Sequence, residues 1–178
     1  EAVMAKTRQL LLLRHAKSSW DDPSAADFDR PLSPRGQKTA PRVGAEIERR
    51  GWLPDLALVS PAVRTRQTWN LVCARWPRPL PQVAAAEELY GATPQDLLGA
   101  AQGTPKTVGT LLMLGHNPGL EEFARKLAGP SSDARALRQL TEKFPTAALA
   151  RLEIEGDWDE LDFGAARLTH CLRPRDLG

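Results

Sequence analysis

The sequence predicts an α/β fold of three layers, α/β/α, with helices covering both faces of a mainly parallel central sheet. Three apolar runs predict it. Leu10-Leu11-Leu12-Leu13 stops on Arg14-His15, Leu56-Ala57-Leu58-Val59 stops on Ser60-Pro61, and Leu111-Leu112-Met113-Leu114 stops on Gly115-His116-Asn117-Pro118. Short apolar runs bounded by turn residues read as buried strands, and strands that alternate with helical patterns build parallel sheets.

The elements follow in order. Ser33-Pro34 joins a capping hydroxyl to a proline suited to the first helical position, and Ala40, Val43 and Ile47 then share one face until Gly51. Pro41 falls inside that helix, removes one hydrogen bond and predicts an irregularity. Ser60-Pro61 repeats the start signal after the second strand. The helix it opens places Arg64, Gln67, Thr68 and Leu71 on one face, with Arg64 in the first turn. A proline-rich connector from Pro77 to Pro81 leads to a short strand, Val83 to Ala86, and Thr93-Pro94 starts a helix that runs to about Ala101. Asn117-Pro118 opens a helix with Leu120, Phe123, Ala124 and Leu127 on its apolar side. Ala147 to Ile154 and Ala166 to Leu172 read as two strands around the turn Glu155-Gly156-Asp157, an antiparallel addition at the sheet edge.

A chain of 178 residues accommodates one domain. We assign it to residues 9–178, after an N-terminal tail, 1–8, in which Glu1-Ala2-Val3 ahead of Met4 reads as a remnant of cloning or processing. No apolar run approaches the ~20 residues that span a bilayer, so neither a membrane partner nor a location outside the cytoplasm is expected. The net charge of +2 gives no reason to expect a nucleic-acid partner. Cys73 and Cys171 lack metal-ligand spacing and read as buried reduced thiols.

Ligands of open α/β sheets bind beyond the carboxyl ends of the strands, which is where the three runs deliver Arg14, His15, Arg64 and His116. Two guanidinium groups, two imidazoles and helix N-termini suit a phosphoryl group. On the residues alone, His15 reads as a nucleophile, a general base or a structural histidine.

Leu13-Arg14-His15-Ala16, the run Ser60 to Thr68 (SPAVRTRQT) and Gly115-His116-Asn117-Pro118 resemble the three motifs of the histidine phosphatase, or phosphoglycerate mutase-like, superfamily. Arg14 to Trp20 (RHAKSSW), Asp29-Arg30-Pro31-Leu32-Ser33 followed by Arg35-Gly36, and Phe144-Pro145-Thr146 resemble its small phosphohistidine phosphatases of the SixA type. The resemblance implies a phosphoglycerate mutase-like fold. It also implies a metal-free phosphatase without cofactor, in which His15 attacks phosphorus and becomes phosphohistidine while Arg14, Arg64 and His116 hold the phosphoryl oxygens. Surrounding cations should keep His15 neutral. Arg30 matches a family arginine near the phosphate, and Ser18 and Ser19 either donate to phosphate or turn the chain. The general acid stays open between Glu87, Glu88 and Asp27. The expected substrate is a phosphohistidine-bearing protein, such as a signalling or phosphotransfer protein, or else a small phosphorylated molecule. The alternatives are a phosphatase of small monoesters, a mutase, and a phosphate-binding module without turnover.

Overall fold

The computed structural model describes residues 7–177; the tail expected at 1–8 lies outside it except for Thr7 and Arg8. Those two residues already belong to strand β1 (Thr7–Arg14). The chain continues through α1 (Pro34–Arg49), β2 (Leu56–Val59), α2 (Val63–Val72), β3 (Gln82–Ala85) and α3 (Pro94–Gln102). It then forms β4 (Thr110–Gly115), α4 (Gly119–Leu127), α5 (Ala134–Glu142), β5 (Leu149–Glu155) and β6 (Ala166–Leu172).

Among the described residues the strands form one six-stranded sheet in the order β3-β2-β4-β1-β5-β6. The first four are parallel, and β5 and β6 add an antiparallel edge. The Leu10–Leu13 run is wholly buried because both faces of β1 are covered. Leu10 and Leu12 pack with Leu97, Leu120, Phe123 and Leu140, under α3, α4 and α5. Leu11 and Leu13 pack with Ala40, Val43, Ile47, Trp69 and Val72, under α1 and α2. Two cores back to back make the predicted three layers.

Neighbouring strands β1 and β4 send the chain to opposite faces, β1 toward α1 and β4 toward α4. This is a topological switch point, where the crossovers diverge and leave a crevice at the strand ends. Arg14-His15 and Gly115-His116 both open into it, with Arg14 paired to Gly115 across the ladder.

Three local readings are corrected. Helix α1 runs through Pro41 without a break, since its Ala40, Val43 and Ile47 face is held in the core. Helix α2 starts at Val63 instead of at Ser60-Pro61, because the Ser60 hydroxyl is engaged elsewhere. Between β5 and β6 there is no tight turn. The chain detours to bury Trp158, whose indole N–H donates to the Val108 carbonyl at 2.8 Å. Cys73 and Cys171 are free and buried, and burial pushes the Cys171 thiol up to about 12. Among the described residues no helix is long and apolar enough to cross a membrane.

Candidate active site

The rings of His15 and His116 lie 5.2 Å apart between their centroids, brought together by the β1–β4 pairing. His15 is buried, and its Nδ1 lies 2.7 Å from the Ala16 carbonyl oxygen. A carbonyl only accepts, so Nδ1 carries the proton and donates it. In the neutral ring the lone pair is therefore on Nε2. Burial above all, with His116, Arg64 and Arg14 adding to it, holds the His15 pKa at about 3. A ring neutral at pH 7 with a free Nε2 is a competent nucleophile.

His116 is held from the other side. Its Nε2 lies 2.7 Å from the Ser60 hydroxyl, which also receives the backbone N–H of Ala62 at 3.5 Å. An oxygen that accepts from Ala62 can donate its own hydrogen to Nε2, and in that tautomer the His116 proton is on Nδ1. Burial, then Arg64, with Asp27 opposing and Arg14 assisting, brings the His116 pKa to about 4. Among the described residues this Nδ1 is buried and has no partner.

The same holds for Nε of Arg14 and Nε of Arg64. Arg14 otherwise donates to the Phe144 carbonyl at 3.2 Å, an oxygen that also accepts from the Asn117 amide at 2.8 Å. Burial lowers the Arg14 pKa, with Glu121 opposing and Arg64 assisting, although a guanidinium stays charged throughout. Arg64 is buried in the first turn of α2 and donates to the Asp27 carbonyl at 2.7 Å and carboxylate at 3.1 Å. Its helix is fastened by neighbours from the same motif: the Gln67 amide oxygen accepts from the Leu32 N–H at 2.8 Å, and Thr68 Oγ1 from the Ala16 N–H at 3.1 Å.

Arg30 joins the cluster through Asp27, at 3.1 Å, and through the Ser18 hydroxyl. Its guanidinium stacks 3.2 Å from the ring centroid of Trp20, an exposed indole. Ser18 thus orients Arg30, whereas Ser19 accepts the Asp21 N–H at 3.1 Å and turns the chain. Asp27 receives Arg30, Arg64 and the Tyr90 hydroxyl, the last at 2.6 Å, and the Tyr90 contact leads in holding its carboxyl at about 2. Its carboxylate occupies donors that an incoming anion would use.

Glu87 and Glu88 are exposed, and among the described residues neither makes a side-chain hydrogen bond or ion pair. Their short 3-10 turn instead buries Leu89 and presents Tyr90, whose ring stands edge-on to His116 at 5.4 Å. Tyr90 and Ser60 were not singled out from the sequence. In the sequence Ser60-Pro61 reads as a helix start, and Tyr90 follows two glutamates without a motif of its own. His170 sits elsewhere, against the Trp52 ring at 4.9 Å, as a packing residue.

The family model described as histidine phosphatase superfamily (branch 1) matches residues 10–96. The uncharacterized protein Rv1276c of Mycobacterium tuberculosis is 37% identical over 92% of this chain and 100% of its own length. The SixA protein of Nakamurella multipartitia superposes with a TM-score of 0.83 at 30% identity, covering 96% of this chain and 98% of that one. Phosphoglycerate mutase of Plasmodium falciparum shares the fold, with a TM-score of 0.61 at 16% identity over 93% of this chain and 90% of that one. The chain, with its three motifs meeting at the ends of neighbouring strands, belongs to branch 1 of the histidine phosphatase superfamily.

Proposed function

We propose that the protein is a metal-independent phosphohistidine phosphatase that works through a phosphoenzyme on His15. The observation that carries this reading is that three of the four buried side-chain nitrogens without partners among the described residues, Arg14 Nε, Arg64 Nε and His116 Nδ1, come from three separate motifs, the fourth being Arg8 Nε near the other end of β1. Leaving donors buried and unpaired is costly, and an oxyanion with several acceptor oxygens satisfies those three at once.

In the first step His15 Nε2 forms a bond to phosphorus as the bond from phosphorus to the substrate imidazole breaks. The Nδ1 proton stays on the ring, donated to the Ala16 carbonyl, so the phosphorylated ring carries a positive charge that the phosphoryl group offsets. The departing imidazole keeps the proton on its other nitrogen and leaves neutral. Water then adds to phosphorus, His15 leaves as the neutral ring it was, and both protons of the water depart with dihydrogen phosphate. Neither step draws a proton from an enzyme acid, which suits a site where the carboxyl paired with Arg64, that of Asp27, is held ionised at about 2. An alkoxide leaving group would need such a proton. Positioning and charge stabilisation, the main demands of phosphoryl transfer, fall to Arg14, Arg64, His116 and Arg30. The likeness to a SixA protein over nearly the whole chain supports the same substrate class.

The test is phosphate release from a phosphohistidine-bearing protein and from a simple phosphomonoester, side by side, with wild type and His15→Ala. Release from phosphohistidine that disappears in the variant supports the proposal. Preference for the ester moves the function to small monoesters, and failure to cleave either leaves a phosphate-binding module.

A further inference from the structure

We propose that a basic groove beside the phosphate site docks an acidic segment of the protein that carries the phosphohistidine. This rests on the phosphohistidine reading above and adds the surface that selects the partner. The groove has a volume of about 560 Å³ and is lined by six cations, Lys17, Arg35, Arg42, Lys143, Arg173 and Arg175, against one carboxylate, Glu142. Two of the cations are committed. Arg173 pairs with Asp176 at 3.1 Å and faces Glu142 at 3.6 Å, while Arg42 donates to the carbonyls of Pro174 and Leu177, each at 3.2 Å. Among the described residues Lys17, Arg35, Lys143 and Arg175 have no carboxylate within 4.0 Å, and all four are exposed.

The concentration is local. The chain as a whole carries only +2, and the other main cavity, about 420 Å³, mixes Arg50 and Arg135 with Asp133 and Asp176. Like charges gathered on one wall repel one another and call for a counter-charge.

The groove is joined to the site by the segments that build both. Lys17 stands two residues after His15, and the Ala147 N–H donates to the carbonyls of Arg14 at 3.1 Å and His15 at 2.9 Å. Pro145 follows Phe144, whose carbonyl holds Arg14. Ser33 ties the start of α1 to the Lys17 carbonyl through its N–H at 2.9 Å and its hydroxyl at 3.1 Å, and a Cβ on Gly36 would collide with that same oxygen. This close approach sets Arg35 and Arg42 of α1 across from the 143–147 segment and the C-terminal turn.

Long, exposed cations spread over four segments interact through screened Coulomb attraction, which is weak for one small anion and adds up over a row of carboxylates. A phosphohistidine held at His15 supplies the local concentration that makes such contacts count. The occupant is therefore an acidic stretch of the same protein substrate, and its contribution is to association and partner choice.

Three phosphohistidine peptides with glutamate-rich, uncharged or lysine-rich flanks, together with free phosphohistidine, test this on wild type and on the R35E/K143E/R175E variant. Wild type is expected to show a kcat/KM about tenfold higher for the glutamate-flanked peptide than for the uncharged one, an advantage that shrinks with added salt. The variant should lose that preference and turn toward the lysine-flanked peptide, with free phosphohistidine unchanged. Equal rates on all three peptides in wild type overturn the docking proposal while phosphohistidine hydrolysis stands. So does a variant that is slowed equally on every substrate. Inactivity of wild type toward all four substrates overturns the phosphohistidine reading, and this proposal with it.

Discussion

Strand β1 carries an arginine near each end, and the two are provided for in opposite ways. Arg8, near its start, is 2% exposed and donates to the carbonyls of Gly156 and Lys106 while pairing with Asp157 at 3.0 Å. Arg14, at its end, donates to one carbonyl and has no carboxylate within 4.0 Å among the described residues. A buried cation with its own counter-ion has its charge met within the fold, even where, as in Arg8, the Nε has no partner. A half-buried cation without one, its Nε enclosed, keeps part of its interaction energy for a ligand. The end of the strand that lacks the carboxylate is the end that meets His15, His116 and Arg64.

Substitutions can break this contrast. The largest effect expected is from His15→Ala, which should reduce turnover to background while tungstate, an inert phosphate mimic, still binds to the arginines; steady-state assays and titration calorimetry read the two. Arg14→Ala and Arg64→Ala should each lower kcat by about 10²- to 10³-fold, the usual cost of removing a donor to developing charge. Arg14→Ala should leave urea stability close to wild type. Arg8→Ala should do the reverse, costing about 3 kcal/mol in urea unfolding because two carbonyls lose a donor and Asp157 keeps only Lys106, at 3.5 Å, with turnover per folded molecule intact. Equal loss of stability in the Arg8 and Arg14 variants would remove the distinction between the two ends.

Acid titration sharpens it. The unfolded chain protonates its histidines near 6.5, whereas His15 and His116 in the fold resist protonation down to about 3 and 4. The unfolded state therefore binds more protons over that window. Stability is fully present above 6.5 and declines as pH falls through 6.5 toward 3. NMR titration of the ring resonances should show both histidines still neutral at pH 5, and a midpoint near 6.5 for either would refute the burial argument. The smallest effect belongs to Asp27→Asn. It frees Arg30 and Arg64 from a half-exposed carboxylate and should tighten inorganic phosphate binding about fivefold, in line with an exposed ion pair worth about 1 kcal/mol.

Much of the architecture was legible because the apolar runs are short, wholly buried and stopped by residues with chemistry. The run Leu10 to Leu13 reads as a two-sided strand, and the motif that follows it fixes where the site opens. What escaped depends on distant packing. Helix α5 carries an Asp133 cap and buries only Ala136 and Leu140, too small an apolar face to stand out. Arg8 looked like part of a polar tail because its partners, Lys106, Gly156 and Asp157, are supplied by loops about a hundred residues or more away. Tyr90 reaches Asp27 across 63 residues, once Leu89 is seated in the core. Ser60 has the residue type of a helix cap but serves the site, because its hydroxyl orients His116 and leaves the helix start at Ala62 without a side-chain cap. The acid was the least legible, since exposed glutamates and a paired aspartate look alike in sequence and differ only in their neighbours.

The central claim is that His15 Nε2 takes the phosphoryl group. Mixing the protein with phosphoramidate, quenching it in alkali within milliseconds and locating the phosphoryl group by peptide mass spectrometry tests it most directly. One phosphoryl group on the peptide that contains His15, formed before phosphate release and missing in His15→Ala, is the predicted result. Turnover that persists in His15→Ala, or a phosphoryl group found on another residue, would contradict it.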